Sequence, residues 1–248
     1  MITAIIQARM SSTRLPRKVM IEFSGNTLLG HIIERISSSS LISRIVVATS
    51  LSSANDELVD WLSRKGLEYF RGSENDVLNR YYEAAKWASA KHIARITSDD
   101  PFKDPEIIDK VGRMYLDEKL DFAYNNKPPS FAEGLDTEIF SFAALERANA
   151  NATDQFEREH VTQHFYRNPL IFKQKNLSSP VDYSHLRWTI DTEEDLAMAR
   201  TVYENLYKPG RIFLASDILE LVKKKPGIPA INQSVKRSDM YKKPESDQ

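Results

Sequence analysis

Short apolar runs alternate with longer amphipathic segments over the first 97 residues of the chain. Each run is rich in β-branched residues and is typical of a buried strand. These predicted strands cover residues 2–6, 45–48, 67–70 and 92–97. Apolar positions three or four residues apart predict helices that begin at Thr27, at Asp56 and after the turn at 71–75. This β-α-β-α-β order predicts a parallel, Rossmann-like sheet in the N-terminal half.

The pattern continues to Lys224 with less regular strands. Helices are predicted at 105–116 after an Asp104 N-cap, at 193–206 after a Thr192 N-cap and at 216–224, and helical spacing also opens at Glu157. Strands are predicted at 121–124, 131–140, 171–175 and 186–190. Residues from Ser234 onward are polar and charged, which favours a flexible tail. We therefore predict one α/β domain over residues 1–233, with a mixed, mostly parallel sheet flanked by helices, and a tail over 234–248.

Charge and composition exclude several classes of protein. The 34 Lys and Arg residues are balanced by 35 Asp and Glu, so no global field attracts nucleic acid or an anionic membrane. Cysteine is absent, which excludes disulfides, thiolate nucleophiles and Cys-ligated zinc. No apolar run of 18 residues occurs, and the first residues do not have the pattern of a secretion signal. We expect a cytoplasmic protein with no nucleic-acid or membrane partner.

A basic loop follows the first predicted strand directly. Its cations are Arg9, Arg14, Arg17 and Lys18, and Ser11 to Thr13 add hydroxyl groups. Ligands of open α/β sheets bind outside the carboxyl ends of strands, and guanidinium groups can grip phosphate oxygens in pairs. The loop is not a Walker A motif, because it contains no glycine. The pattern favours a polyphosphate site over the alternative, a solvated basic loop.

A turn after the third predicted strand is a second candidate for nucleotide contact. Gly72 and Ser73 are small enough for the backbone to lie against a nucleobase. The equally good alternative is that Ser73 or Asn75 simply caps the next helix.

Aspartates end two further predicted strands. Asp99 and Asp100 follow the strand at 92–97, and Asp191 follows the run at 186–190, just before a helix cap. One or two carboxylates suffice for Mg²⁺, which takes its other ligands from water and substrate phosphates. The alternative is an ordinary Asp-Pro turn at Asp100, whereas Asp99 and Asp191 are less well explained by capping.

Acids and histidines of the second half are weaker candidates. Asp136 and Glu138 alternate within a predicted strand, so they are expected on one face, where they could bind a polyol or a second metal; a solvent-facing surface is favoured on spacing alone. His160 and His164 have the spacing of a zinc pair, but the H-E-x-x-H pattern is missing, so a metalloprotease is rejected.

Six segments occur in the order IIQARMSSTRLPRKV, RGSENDVLNRYYEAA, RITSDDPFKDPEII, EGLDTEIFS, EREHVTQHF and RWTIDTEEDL. In this order they resemble the SpsF-like, spore-coat polysaccharide group of cytidylyltransferases, relatives of the acylneuraminate and 3-deoxy-manno-octulosonate cytidylyltransferases. The match spans roughly residues 1–206, and the ordered set is far more specific than any single motif. The resemblance implies a GT-A-like nucleotidyltransferase fold, in which CTP and an acidic sugar give a CMP-sugar and pyrophosphate.

The resemblance also implies roles for individual residues. The triphosphate would be held by Arg9, Arg14 and Lys18, and the base would lie by Gln7 and Ala8. The Mg²⁺ ligands would be Asp99 and Asp191, which with Arg14 and Lys18 form the expected catalytic set. The residues that match sugar-facing motifs are Asp136, Glu138, Glu159 and His160.

Two positions depart from the pattern of the resembled group. Arg17 replaces the usual glycine after the loop proline, which is expected to alter the shape of the loop. Asp100 replaces the cysteine of the usual Gly-Asp-Cys-Pro and adds a candidate metal ligand. The resemblance also implies a homodimer formed through the second half, where Phe165 and Tyr166 are expected to be exposed.

Two other classes of protein share the predicted fold. A GT-A glycosyltransferase would hold a nucleotide diphosphate, usually through a D-x-D signature, which is not found at a central strand end here. A non-catalytic nucleotide-binding module would tolerate loss of the metal acids without loss of nucleotide affinity.

Overall fold

The computed structural model describes residues 1–236. Its strands are β1 (Ile2–Gln7), β2 (Glu22–Phe23), β3 (Asn26–Thr27), β4 (Ile42–Ser50), β5 (Glu68–Gly72), β6 (His92–Thr97), β7 (Phe122–Tyr124), β8 (Glu138–Ser141) and β9 (Gln174–Asn176). Its helices are α1 (Leu28–Ile36), α2 (Asp56–Arg64), α3 (Val77–Trp87), α4 (Pro105–Asp117), α5 (Phe142–Asn151), α6 (Gln155–Glu159), α7 (Gln163–Arg167), α8 (Glu193–Leu206), α9 (Ala215–Lys224) and α10 (Gly227–Ala230).

Seven strands form one mixed sheet in the order β5-β4-β1-β6-β8-β7-β9. Strand β1 is parallel to both β4 and β6, and β5 extends this parallel part beyond β4. Strand β8 is antiparallel to β6 and β7, while β9 is parallel to β7. The predicted mixed, mostly parallel sheet is therefore confirmed. The carboxyl ends of β1, β4, β5 and β6 all lie at one edge, where a ligand of such a sheet is expected.

Helices cover both faces of this sheet. In β1, Ile2, Ala4 and Ile6 pack into one core with α1, α4, α8 and α9, whereas Ile5 packs into the other core with α3 and α5. Burial on both faces explains why the central strands read as continuous apolar runs in the sequence.

Most helix starts agree with the predicted caps. The Asp104 carboxylate accepts from the backbone of Glu106, and the Thr192 hydroxyl accepts from the backbone N–H of Asp195 at 3.3 Å. The predicted cap of α3 is wrong, because Asp76 rather than Ser73 or Asn75 occupies that position. The Ser73 hydroxyl instead accepts from the backbone N–H of Asp76 at 3.0 Å.

Three predictions for the second half are also wrong. Strand β8 begins only at Glu138, where pairing with Arg95 of β6 begins, so Asp136 lies outside the strand and shares no strand face with Glu138. The run at 186–190 is not a strand and makes a single bridge, between Arg187 and Glu133. Val161 adopts a φ of 48°, and two short helices, α6 and α7, replace the continuous one predicted from Glu157.

Helix α10 is the last helix of the described residues. Of the predicted tail at 234–248, residues 237–248 lie outside the described residues, and the single domain at 1–233 stays a prediction. Within residues 1–236, no helix is both long and apolar enough to cross a membrane.

Candidate functional site

The basic loop after β1 folds around the backbone of Met10. Its N–H donates to the Asn55 side chain at 2.8 Å, and its carbonyl accepts from the backbone of Ser12 at 3.0 Å and of Arg17 at 3.1 Å. Arg17 adopts φ 59° and ψ 23°, the left-handed region that favours glycine. Its guanidinium pairs with Glu57 of α2 at 2.5 Å. The loop is thus compact, and the resembled group's glycine coincides with its one left-handed turn.

A backbone contact joins the two candidate metal aspartates. The Ile190 N–H donates to the Asp99 carbonyl at 2.8 Å, and the Thr189 hydroxyl donates to the same carbonyl at 3.2 Å. This contact ties the loop after β6 to the segment before α8. Asp191, the next residue, is therefore held beside Asp99.

Gly134 allows a second loop to close over that segment. It adopts φ +101°, and a Cβ there would lie 2.8 Å from the carbonyl atoms of Trp188. Backbone hydrogen bonds from Glu133 to Leu186 and from Trp188 to Glu133 complete the contact. The extended path at 186–190 is thus fixed by two loops rather than by the sheet.

Lys18 is the centre of the site. Its ammonium donates to Asp99 Oδ2 at 3.1 Å, to Asp191 Oδ1 at 2.9 Å and to the Ile190 carbonyl at 3.1 Å. The Arg14 guanidinium lies 3.1 Å from Asp191 Oδ2. The structure therefore brings together the four residues of the expected catalytic set, at the edge where β1 and β6 end.

Charge and burial at this cluster oppose each other. Burial alone lowers the pKa of Lys18, but the carboxylates of Asp99 and Asp191 outweigh it and raise that pKa above its ordinary value. Burial likewise acts to raise the pKa of Asp99, and the Lys18 ammonium outweighs it, so this pKa is lowered. The lysine thus stays cationic and Asp99 stays anionic at neutral pH.

Asp100 lies in a different environment. Its carboxylate is buried, accepts from Thr97 Oγ1 at 2.6 Å and pairs with Lys103 at 2.8 Å. Burial raises its pKa to about 6; Lys103 opposes this rise, and Asp99 and Asp136 add to it. Its partners within the loop do not support the expectation that Asp100 is an extra metal ligand.

The residues predicted to contact the nucleotide line the same sheet edge. Ala8 is buried and donates from its backbone to Ala48 at 3.2 Å, and Arg9 is exposed. The Ser73 carbonyl accepts from the buried Arg80 at 2.6 Å. Burial lowers the pKa of Arg80, and the positive charge of Arg9 lowers it further.

Glu138 belongs to a buried network rather than to an open face. It pairs with Arg95 and accepts from the hydroxyls of Thr162 and Tyr166, each at 2.8 Å. Arg95 also donates to the side-chain oxygen of Gln7 at 3.4 Å. The network therefore connects a residue expected near the base with the second half of the sheet. As the carboxylate of Glu138 is 4 % exposed, its predicted sugar contact has little support from the geometry.

The other sugar-facing candidates are scattered around this network. Asp136 is half-buried and its carbonyl accepts from Lys103, Glu159 is exposed, and His160 packs its ring 4.4 Å from that of Phe156. Burial lowers the pKa of His160, and the Glu159 carboxylate offsets only part of that effect. The roles of Asp136, Glu159 and His160 in sugar binding stay predictions.

The aromatic pair expected to be exposed is not. Phe165 is fully buried and Tyr166 is half-buried, because both pack into the core beside α3 and α5. The side chains of Leu170 and Ile171, after α7, are exposed. The predicted homodimer is therefore not supported by exposed aromatic side chains at these two positions.

Sequence reasoning missed three buried arginines around the site, namely Arg80, Arg95 and Arg187. Each lies within an otherwise apolar run or helical face, and such a charge must find a buried partner. That signal shows that a partner exists but not which residue supplies it. Arg187 pairs with Glu133, Asp191 and Asp195 at 2.9 to 3.0 Å.

The arrangement of Asp99 and Asp191 suits a divalent cation whose other ligands are phosphate oxygens of a bound nucleotide. Within the described part of the chain, no group of three or more His, Cys, Asp or Glu side chains is arranged to hold a metal. Asp99 and Asp191 share one ammonium, and Mg²⁺ typically needs only one or two carboxylates. The two aspartates therefore fit such an ion.

The fold is that of a GT-A-like nucleotidyltransferase. Residues 3–217 match the family model described as cytidylyltransferase. The chain therefore belongs to the cytidylyltransferase family.

Similar proteins span nearly the whole chain. An uncharacterized protein of Methanocaldococcus jannaschii, MJ1063, is 35% identical over 95% of this chain and 96% of its own length. The spore coat polysaccharide biosynthesis protein SpsF of Bacillus subtilis is 31% identical over 90% of this chain and 94% of its own. A solved cytidylyltransferase from Leptospira borgpetersenii aligns with a TM-score of 0.87 and 33% identity, over 96% of this chain and 98% of that one.

Proposed function

We propose that the protein is a Mg²⁺-dependent cytidylyltransferase that transfers CMP from CTP to an acidic sugar and releases pyrophosphate. The observation that carries this proposal is the convergence of Arg14 and Lys18 with Asp99 and Asp191 at one sheet edge. Membership of the cytidylyltransferase family supports the choice of CTP.

The cations of the basic loop are suited to a triphosphate. Arg14 is half-exposed and Lys18 contacts three oxygens at once, so both can exchange carboxylate partners for phosphate oxygens with little movement of the backbone. Asp99 and Asp191 would then hold Mg²⁺, which would supply positive charge against the negative charge that develops on the phosphates. Arg9, on the same loop, extends the cationic surface.

The reaction asks for little covalent chemistry from the protein. A sugar hydroxyl attacks the α-phosphorus in line, the bond from that phosphorus to the bridging oxygen breaks, and pyrophosphate leaves. The hydroxyl proton passes to solvent, since no side chain in the cluster is a dedicated base. The protein accelerates the reaction mainly by positioning the reactants and stabilising the charge of the transition state, as in other phosphoryl and nucleotidyl transfers.

The acidic sugar rests on the resemblance to the acylneuraminate and 3-deoxy-manno-octulosonate cytidylyltransferases. The relationship to a spore coat polysaccharide biosynthesis protein supports a place in surface polysaccharide or glycoconjugate biosynthesis. Cytoplasmic location and a homodimer are part of the same proposal.

Pyrophosphate release, assayed over a panel of nucleotides and acidic sugars, tests the proposal. We expect release with CTP, Mg²⁺ and one acidic sugar, and a loss of about a hundredfold or more in kcat in Lys18→Ala and Asp191→Ala. Lys175→Ala, which removes an exposed lysine paired with Glu118 at 2.6 Å, is the matched control. Unchanged turnover in both site variants, with folding intact, would contradict the proposal.

The same panel separates the alternatives. A glycosyltransferase would consume a nucleotide sugar and release no pyrophosphate. A non-catalytic nucleotide-binding module would bind CTP and give no product with any sugar.

A further inference from the structure

The carboxylate of Asp191 has a third cationic partner besides Lys18 and Arg14. Arg187, four residues earlier, donates from Nη2 to Asp191 Oδ2 at 3.0 Å. In the proposed function, Lys18 and Arg14 turn towards phosphate. Arg187 is buried and does not belong to the basic loop. In the proposed function it is the cation that remains beside Asp191.

Asp195 holds both the side-chain partner and the backbone of Asp191. Its two carboxylate oxygens accept from Arg187 Nε and Nη2, each at 2.9 Å, in a bidentate pair. The oxygen Oδ2 also accepts from the backbone N–H of Asp191 at 3.0 Å and of Thr192 at 3.2 Å. A shift of Asp195 would thus move Asp191 through two independent contacts.

Asn232 closes the arrangement from the C-terminal side. Its side-chain amide is buried and donates to Asp195 Oδ1 at 2.8 Å and to the Arg187 carbonyl at 3.1 Å. Asn232 follows α10, whose Ile228 is anchored in the core. This residue lies beyond residue 217, where the match to the family model ends.

We propose that Asn232 is a positioning residue, which locks the Arg187–Asp195 pair and thereby fixes the Asp191 carboxylate for the metal–nucleotide complex. The segment after α10 is then part of the active site, although it contacts no substrate. Groups that orient a metal ligand typically change metal affinity 10- to 100-fold when they are removed. This inference rests on the proposed function, because it assigns Asp191 to the metal.

Mn²⁺ binding in the presence of CTP, measured by electron paramagnetic resonance, tests the inference without any sugar. We expect Asn232→Ala to weaken Mn²⁺ binding about tenfold, while metal-free CTP affinity stays unchanged. Asn205→Ala is the matched control, because Asn205 also lies in the C-terminal part of the chain but is exposed and bonds Thr201 and Lys225, away from Asp191. It should bind Mn²⁺ as the wild type does.

The possible outcomes separate the two proposals. Wild-type protein that binds no Mn²⁺ with CTP overturns the proposed function and the inference with it. Wild type that binds Mn²⁺, with equal affinity in folded Asn232→Ala, overturns the inference alone. If Asn232→Ala does not fold, Arg187→Lys carries the test, since it keeps the buried charge but loses the bidentate fork. The same tenfold weakening is then expected, and unchanged Mn²⁺ affinity overturns the inference.

Discussion

The ammonium of Lys18 donates to three oxygens at once, and these contacts define the centre of the site. Two of the three belong to carboxylates that come from distant parts of the sequence. A lysine suits this position because its ammonium is a compact point charge with three donors, one for each of these oxygens. The same compactness allows the ammonium to turn towards a phosphate.

Arg17 shows how one residue stores strain beside this site. Its φ of 59° costs a non-glycine residue about 1 kcal/mol relative to glycine. We expect Arg17→Gly to be more stable than Arg17→Ala, with a free energy of unfolding about 1 kcal/mol higher when measured by urea denaturation. Both variants lose the Glu57 ion pair, so that loss cancels in the comparison. Equal stability of the two would show that the loop does not keep the left-handed turn.

Elements of the first half were predictable because the sequence carries their signal locally. The central strands are buried on both faces, so they read as apolar runs, and their helices have regular spacing. Asp99 does follow a strand, β6, as predicted, whereas the run before Asp191 was expected to be a strand and is not one. Beyond this half, partners decide the structure: β8 begins where it meets β6, and 186–190 is extended because two loops bind it. Asn232 bonds Arg187 and Asp195 across 45 and 37 residues of sequence, so no local pattern indicates these contacts.

The contact between the 131–137 loop and the segment before Asp191 depends on Gly134. We expect Gly134→Ala to lower the free energy of unfolding by about 1–3 kcal/mol, since it combines a positive φ with a clash against the Trp188 carbonyl. Gly210→Ala is the control, because Gly210 also has a positive φ but no heavy atom within 4 Å of its Cβ position. Urea denaturation should show the larger loss at Gly134. Equal losses of stability in the two variants would mean that the backbone near Trp188 shifts to relieve the clash at little cost in free energy.

Asp109 of α4 fixes the start of β4. Its carboxylate accepts from the hydroxyls of Ser39 and Ser40, each at 2.5 Å, and from the backbone of Ser40 at 3.1 Å. Burial acts to raise its pKa, but these hydrogen bonds outweigh it, so the pKa is lowered. Asp109→Asn should therefore reduce the free energy of unfolding at pH 7 by about 1–2 kcal/mol.

The stability lost in Asp109→Asn should depend on pH, because the pKa of Asp109 is lowered in the folded state. A carboxyl group whose pKa is lower in the folded state stabilises the fold above its unfolded pKa of about 4 and loses this effect as the pH falls through the folded value. The gap between wild type and Asp109→Asn, measured by urea denaturation, should therefore shrink below pH 4. A gap that is constant down to pH 3 would contradict this account.

At the scale of the whole molecule, the site joins the two halves of the chain. The parallel strands β1 and β6 carry the basic loop and Asp99, and the segment before α8 carries Asp191. The formal net charge is only −1, so the field that attracts a nucleotide is local to this edge. Because cations and acids neutralise each other there, a metal and a triphosphate should bind best together.

Thermal unfolding with and without Mg²⁺ measures this mutual dependence. At a ligand concentration of a hundred times Kd, CTP with Mg²⁺ should stabilise the protein by about 2.7 kcal/mol. For a chain of this size, that corresponds to a rise in Tm of roughly 5–10 °C. CTP with a chelator should give a smaller rise, since its phosphates would then face Asp99 and Asp191 without a cation between them. In Asp99→Asn the rise in Tm with Mg²⁺ and the rise with the chelator should become more similar. In Lys175→Ala the difference between these two rises should be the same as in the wild type. An equal rise with and without Mg²⁺ in the wild type would show that these aspartates do not bind a metal–nucleotide complex.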